Sequence, residues 1–310
     1  MRITEYYYGQ LDKREQATYR AMLAGTEAMR PKIVLPTDEV DLLPIFNAVL
    51  LDNPLIFYAR SYVHQGKDFW PDYLFSRPFV RQATREVLDY LRVFDGLRGE
   101  SDLKKQLAVH DFCLNNFRYD DGIGMDAFSV LGPVRHGAAV CEGIAKFVKL
   151  ALNHVGIKCI VARGMAHNPT IGGVPENHAW NIVKIDGKNF HMDATFNLTL
   201  TGAVKRYDYF NLADVDVANS HRPVGILPPC TTTGRDYLSL RGMVAHTPQQ
   251  LDDYIATKVM QGKRHMVVKL KNVKDATNVA DRVMDIALRH APAVDISYNL
   301  EQMVFEIKLG

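Results

Sequence analysis

Asp186-Gly187, set between "HAWNIVKI" and "KNFHMD", constrains this chain more than any other pair of residues. Asp-Gly favours a two-residue turn with positive φ, and alternating apolar residues run away from it on both sides, which predicts a β-hairpin. In that register Ile185 faces Lys188 and Trp180 faces Asp193. His178 and Trp180 lie two apart and share a face, so Asp193 falls diagonally opposite His178, about 7–8 Å away between backbones, within reach of an imidazole.

A second segment, "VRHGAAVCEGIAKFVKLALNHVGIKCIVARG", carries one cysteine where small residues give way to a helix. Ile144, Phe147, Val148, Ala151, Leu152 and Val155 follow helical spacing, and Gly156 ends the run as a C′ glycine. Cys141 therefore belongs to the first turn, where unpaired N–H groups and the positive end of the helix dipole favour thiolate. Glu142 opposes this if its carboxylate points at the sulfur, although an acid in the first turn also suits the dipole.

Each of these residues has a plainer use. A lone cysteine is most often packing, a histidine can cap the mouth of a strand, and an aspartate before "ATFN" can be a turn residue. Together, however, Cys141, His178 and Asp193 supply a nucleophile, a base and the group that orients the base. His191 shares the face of Asp193, so a cysteine, two histidines and an aspartate offer zinc ligands. No pair of them has a familiar zinc spacing, and the expectation is no metal and no cofactor.

Charge and length narrow the class. The 310 residues are 47% hydrophobic and 23% charged, enough for a full core in roughly two domains. A formal charge of +2, with basic residues scattered among acids, provides no stripe for a phosphate backbone, which argues against nucleic acid. The start, "MRITEYYYGQLDKREQ", has no apolar leader region, and no stretch reaches the roughly 18 apolar residues of a membrane span. Four cysteines without a CxxC pair suit a reducing cytoplasm.

Helices are predicted over Leu11–Arg30, after a Thr37 cap (with Val40, Leu43, Phe46, Val49 and Leu50 on its apolar face), over Val80–Phe94 and over Leu103–Phe117. Aromatic strands precede the third of these. Breaks at "DGLRGES" and after "SHRPVGILPPCTTTG" suggest three parts: a helical and strand-bearing region over 1–99, a central block over 100–241, and a small α+β unit over 242–310. The last reads as a packing or partner-docking appendage. The Gly172-Gly173 loop before His178 is either a simple connection or a flap over substrate.

The residues in these motifs resemble the transglutaminase-like superfamily, whose core is related to papain-type cysteine proteases. The likeness lies in Cys141-Glu142-Gly143 opening a helix, in His178-Ala179-Trp180-Asn181, and in Asp193-Ala194-Thr195-Phe196. It extends to His110, Asp111, Tyr119 and Asp120 upstream and to "YDYFNLAD" downstream, which is similar to bacterial members. Phe196 stands where the family often has tryptophan. The resemblance implies an α+β papain-like core and cysteine-dependent acyl transfer or hydrolysis at a protein or peptide amide. Within it, Cys141 is the nucleophile, His178 the general base and acid, and Asp193 its orienter. The backbone N–H of Cys141 is one oxyanion donor. The glutamine that papain-like enzymes often place before the cysteine is replaced by His136 and Gly137, leaving Tyr119 as a candidate; Tyr119 and Trp180 are the candidate substrate contacts, although the first role of Trp180 is as a hairpin-face aromatic packing beside His178. The alternative is a binding scaffold that keeps the fold without the chemistry.

Overall fold

The computed structural model describes residues 1–169, 174–273 and 276–310. Helix α1 (Lys13–Glu27) starts at Asp12, whose carboxylate accepts the N–H groups of Arg14 and Glu15 while Glu15 reaches back to the Asp12 N–H. This reciprocal cap satisfies donors that the first turn otherwise leaves bare. After β1 (Ile33–Val34), helix α2 (Leu42–Asp52) is capped by Asp41, not by Thr37. Thr37 instead accepts the Glu39 N–H in the preceding turn, and the aspartate next to the apolar run Leu42, Ile45, Phe46 and Val49 is the better placed cap. The hairpin β2 (Ala59–Gln65) and β3 (Asp68–Tyr73) pairs with β1. Helices α3 (Arg77–Leu91) and α4 (Asp102–Asn116) follow, α3 continuing as a 3-10 helix to Leu97. One apolar cluster joins Tyr19, Phe46, Phe69, Val87 and Phe94 to Val109, Phe147, Val148, Val183 and Phe190, so residues from 1–99 share a core with the central block.

The central block, which opens with α4, continues with the short parallel pair β4 (Arg118–Tyr119) and β5 (Ala138–Ala139), which leads into α5 (Cys141–His154). Gly156, with φ of 88°, ends that helix as expected. Strands β6 (Cys159–Ala166), β7 (Glu176–Ile185) and β8 (Lys188–Met192), helix α6 (Ala194–Leu200), β9 (Phe210–Leu212), α7 (Asp214–Val217) and β10 (His221–Pro223) complete it. The sheet is antiparallel throughout, in the order β10-β6-β7-β8-β9. Asp186 and Gly187 have φ of 48° and 79°, and Ile185 pairs with Lys188 in the register read from the sequence. Residues Gly172 and Gly173 lie outside the described residues.

Two buried contacts fix α5. Asn181 on β7 donates to the carbonyls of Ala145 and Ile160 at 2.9 and 3.1 Å, tying the start of the helix to the sheet. On the far side, the fully buried Lys149 ammonium donates to Thr4 O at 2.6 Å and lies 3.9 Å from Asp52. Asp52 in turn accepts the N–H groups of Tyr6, Tyr7 and Tyr8 at 2.9–3.2 Å, so the first residues of the chain strap across the rear of α5.

Beyond α8 (Tyr237–Leu240) the chain forms β11 (Val244–Ala245), α9 (Pro248–Met260), β12 (His265–Leu270), α10 (Val279–Ala287), β13 (Val294–Asn299) and β14 (Val304–Leu309). Their sheet runs β11-β12-β14-β13, and Leu251, Ile255, Val268, Val283, Phe305 and Ile307 belong to a cluster of their own. The spacing of apolar residues predicts the second tail helix over Asp275–His290; Asp275 lies outside the described residues, and the helix runs Val279–Ala287. The seam with the central block is part apolar, where Leu238 packs with Val267 and Val304, and part polar. Arg206 grips Asp208 through two bonds of 3.0 and 2.8 Å and reaches Glu306 on β14 at 3.1 Å. Asn299 on β13 donates to the same Asp208 at 3.1 Å. The architecture is α+β, and no helix among the described residues is long and apolar enough to cross a membrane.

Candidate active site

Cys141 is the first residue of α5, and the cap before it, Val140, has no side-chain acceptor for the first-turn N–H groups. Those donors therefore remain available to an anion at the helix start. Glu142 is engaged elsewhere: its Oε1 accepts from Arg163 at 2.5 Å and from Lys146 at 2.7 Å. Burial raises the Glu142 pKa, but the two cations outweigh it and hold the carboxyl below its usual range. Cys141 and His178 line two adjoining cavities. The larger, of about 380 Å³, is walled by Phe128, Val140, Arg163 and Val224; the smaller, of about 220 Å³, by Tyr119, Asn168, Glu176 and Phe196.

Strand β8 stops at Met192, so Asp193 leaves the ladder and caps α6, its Oδ1 accepting the Phe196 N–H at 3.0 Å. Its Oδ2 receives His178 Nε2 at 2.6 Å. With Nε2 committed there, Nδ1 is the nitrogen left for the sulfur side. Stacking holds the ring in this plane, with Phe196 at 4.2 Å and Trp180 at 6.1 Å between centroids. Burial lowers the His178 pKa, but the charge and hydrogen bond of Asp193, joined by the Cys141 sulfur, reverse this and push it up to about 10. Burial likewise raises Asp193, and its two histidine partners overturn that, holding it well below the carboxylate range.

The comparisons with known proteins agree with the region so described. Residues 95–194 match the model of the transglutaminase-like superfamily. Over that third of its length the chain is similar to the transglutaminase-like superfamily. Among solved structures, "a Putative Cysteine Protease from Cytophaga hutchinsonii" is 23% identical, with a TM-score of 0.27, over 33% of this chain and 37% of that one. A structure described as "a TGase" is 16% identical, with a TM-score of 0.33, over 46% and 45%. The chain thus spans less than half of either solved structure. No curated protein matches.

Within the matched region, Tyr119 is half exposed and lines the smaller cavity with Cys141. Trp180 differs from its expected role as a substrate contact. It is 1% exposed and lines neither cavity, because the hairpin register turns its ring under His178 rather than toward solvent. His136, which stands at the family's glutamine position, lies 3.1 Å from Asp126 and lines neither cavity.

Two groups, His221 and Asn197, escaped the sequence reading, and His110 entered it only through the upstream motif. His221 Nε2 lies 3.1 Å from Asp193 Oδ2, the oxygen that also receives His178. Its segment, "SHRPVGILPP", reads as a loop, and a three-residue edge strand gives no periodic signal. Asn197 on α6 and His110 on α4 are joined at 2.9 Å, and Asn197 also accepts the Tyr209 N–H at 2.9 Å, bracing the helix that Asp193 caps.

His178, Asp193 and His221 lie close enough to hold a metal ion, as do His191, Asp214 and Cys230. Hydrogen bonding assigns His191 a different role. The Trp180 indole N–H, which can only donate, points at His191 Nδ1 at 3.0 Å, so the ring proton sits on Nε2 and is given to Asp214 at 2.8 Å. A neutral imidazole in that tautomer has no lone pair left for a metal. His178 and His221 likewise both address one carboxylate oxygen through Nε2, where protons, not metal bonds, fit the geometry.

Proposed function

We propose that this chain is a cysteine-dependent enzyme that transfers or hydrolyses the acyl group of a protein or peptide amide through a thioester. The reading rests above all on His178, which is held by Asp193 at 2.6 Å on one side and shares both cavity walls with Cys141 on the other. The Cys141 thiolate attacks the amide carbon, with its proton resting on His178. The C–N bond breaks as His178 protonates the departing amine, and water or a second amine then attacks the thioester, returning a proton to His178 and releasing the thiolate. Asp193 holds the ring and balances its charge. The Cys141 N–H, at the uncapped start of α5, is aimed as one oxyanion donor, a group worth about 3 kcal/mol when well aligned.

Alkylation tests this directly. Burial raises the thiols of Cys113, Cys159 and Cys230, the latter two to about 12, so iodoacetamide at pH 7 is expected to label Cys141 first. His178→Ala is expected to slow that labelling about tenfold or more. Equal, sluggish labelling of all four cysteines would instead point to the binding scaffold. Peptide and glutamine–amine libraries then separate hydrolysis from transamidation.

A further inference from the structure

We propose that His221 is a positioning residue for the Asp193–His178 pair, its imidazole donating Nε2–H to the same carboxylate oxygen that receives His178. This rests on the reading of His178 as the base and extends it to a residue outside the triad. Both imidazoles meet Asp193 Oδ2, at 2.6 Å from His178 and 3.1 Å from His221, while Oδ1 takes the Phe196 N–H at 3.0 Å. A carboxylate held by one partner can turn about its last bond. Held from three directions, it has one orientation, and that orientation is what fixes the plane of His178.

The proton on His221 can be located. Burial lowers its pKa despite Asp193, so the ring is neutral and carries one proton. The charged and titratable groups that act on it are Asp193, His178 and His191, and its edges are packed by Trp180, Phe196 and Tyr209. A bare nitrogen facing a carboxylate would be repelled, so the proton is on Nε2 and Nδ1 must accept. Ser220 Oγ lies 2.8 Å from Nδ1, closer than its alternative acceptor, Val217 O, at 3.3 Å. The serine hydroxyl therefore sets the tautomer of His221, as His221 sets the carboxylate. The strand that begins at His221, directly after Ser220, lies against β6, with His221 opposite Ala166.

Two substitutions separate donation from packing. His221→Phe keeps an aromatic ring but removes the donor; His221→Gln keeps an N–H near the position of Nε2 but removes the ring. Iodoacetamide labelling of Cys141 at pH 7, read by mass spectrometry beside thermal unfolding, is expected to slow about tenfold in His221→Phe, the scale of one charge-assisted hydrogen bond. His221→Gln is expected to retain most of the rate. A fast Phe variant, or slow labelling in both variants with native unfolding, overturns the assignment. If His221→Phe does not fold, Ser220→Ala decides. It is expected to slow labelling about threefold alone, by freeing the tautomer, and to add nothing to His221→Gln. No loss in Ser220→Ala, or an equal loss in both backgrounds, overturns the assignment. His178→Ala, run in parallel, tells the two readings apart: unchanged labelling there removes the base itself, whereas slow labelling there beside a fast His221→Phe removes only the role of His221.

Discussion

Asp193 carries three obligations on two oxygens: it caps α6, holds His178 and receives His221. Its pairing with His178 has a consequence for stability. His178 is raised above its ordinary value in the folded chain, so the stabilisation from its proton is complete below about pH 6.5, the unfolded value, and is lost as pH rises through the folded pKa. Replacing Cys141 by Ala takes the sulfur out of the titration and leaves Asp193 as the partner. In that background the unfolding free energy is expected to fall above pH 6.5, by roughly 1 kcal/mol per pH unit at its steepest, and the melting temperature with it. Adding His178→Gln should flatten it, and thermal scans at stepped pH check both. The His178–Asp193 contact was legible because a hairpin turn fixes which residues face one another. His221 was not, because its place depends on a pairing between β10 and β6 that no local pattern announces.

Among the elements, β6 and β10 depend on one glycine. A Cβ at Gly164 would sit 2.2 Å from Arg222 O and 2.8 Å from Pro223 Cα, so β10 lies this close only because position 164 has no side chain. Gly164→Ala must push backbone away, and overpacking of this kind costs about 1–3 kcal/mol. Since Gly164 also lines the larger cavity and β10 carries His221, the variant is expected to lose labelling of Cys141 as well as stability. Chemical denaturation alongside alkylation measures both losses. The long elements α1, α3, α4, α5, β6, β7 and β12 are periodic enough to be read from sequence. Helix α6 was not: its seven residues are two turns, too short for a 3.6-residue pattern to show against "DATFN" as a turn. The two-residue strands β1, β4 and β5 exist only through their partners.

Across the whole molecule, the units are apolar inside, and the seam adds a buried ion-pair network to a small apolar cluster of Leu238, Val267 and Val304. Arg206→Ala leaves the fully buried Asp208 without its partner and is expected to destabilise the chain by about 3–5 kcal/mol, read by urea denaturation. Replacing Arg206 and Asp208 together by Met and Leu is expected to cost less, since no lone charge remains. Parts at 1–99, 100–241 and 242–310 are a proposal that limited proteolysis tests. Because the first two share one apolar cluster and the third has its own, the expected products are a fragment near 1–241 and one near 242–310, with 1–99 not surviving alone. Lys149 adds a last consequence. Its ammonium is sealed behind the helix that begins with Cys141, and its closest acceptor is the carbonyl of Thr4. Clipping away that opening tetrapeptide would leave the ammonium with Asp52 alone, 3.9 Å off, and a cut on the far side of the helix would loosen the wall that presents Cys141.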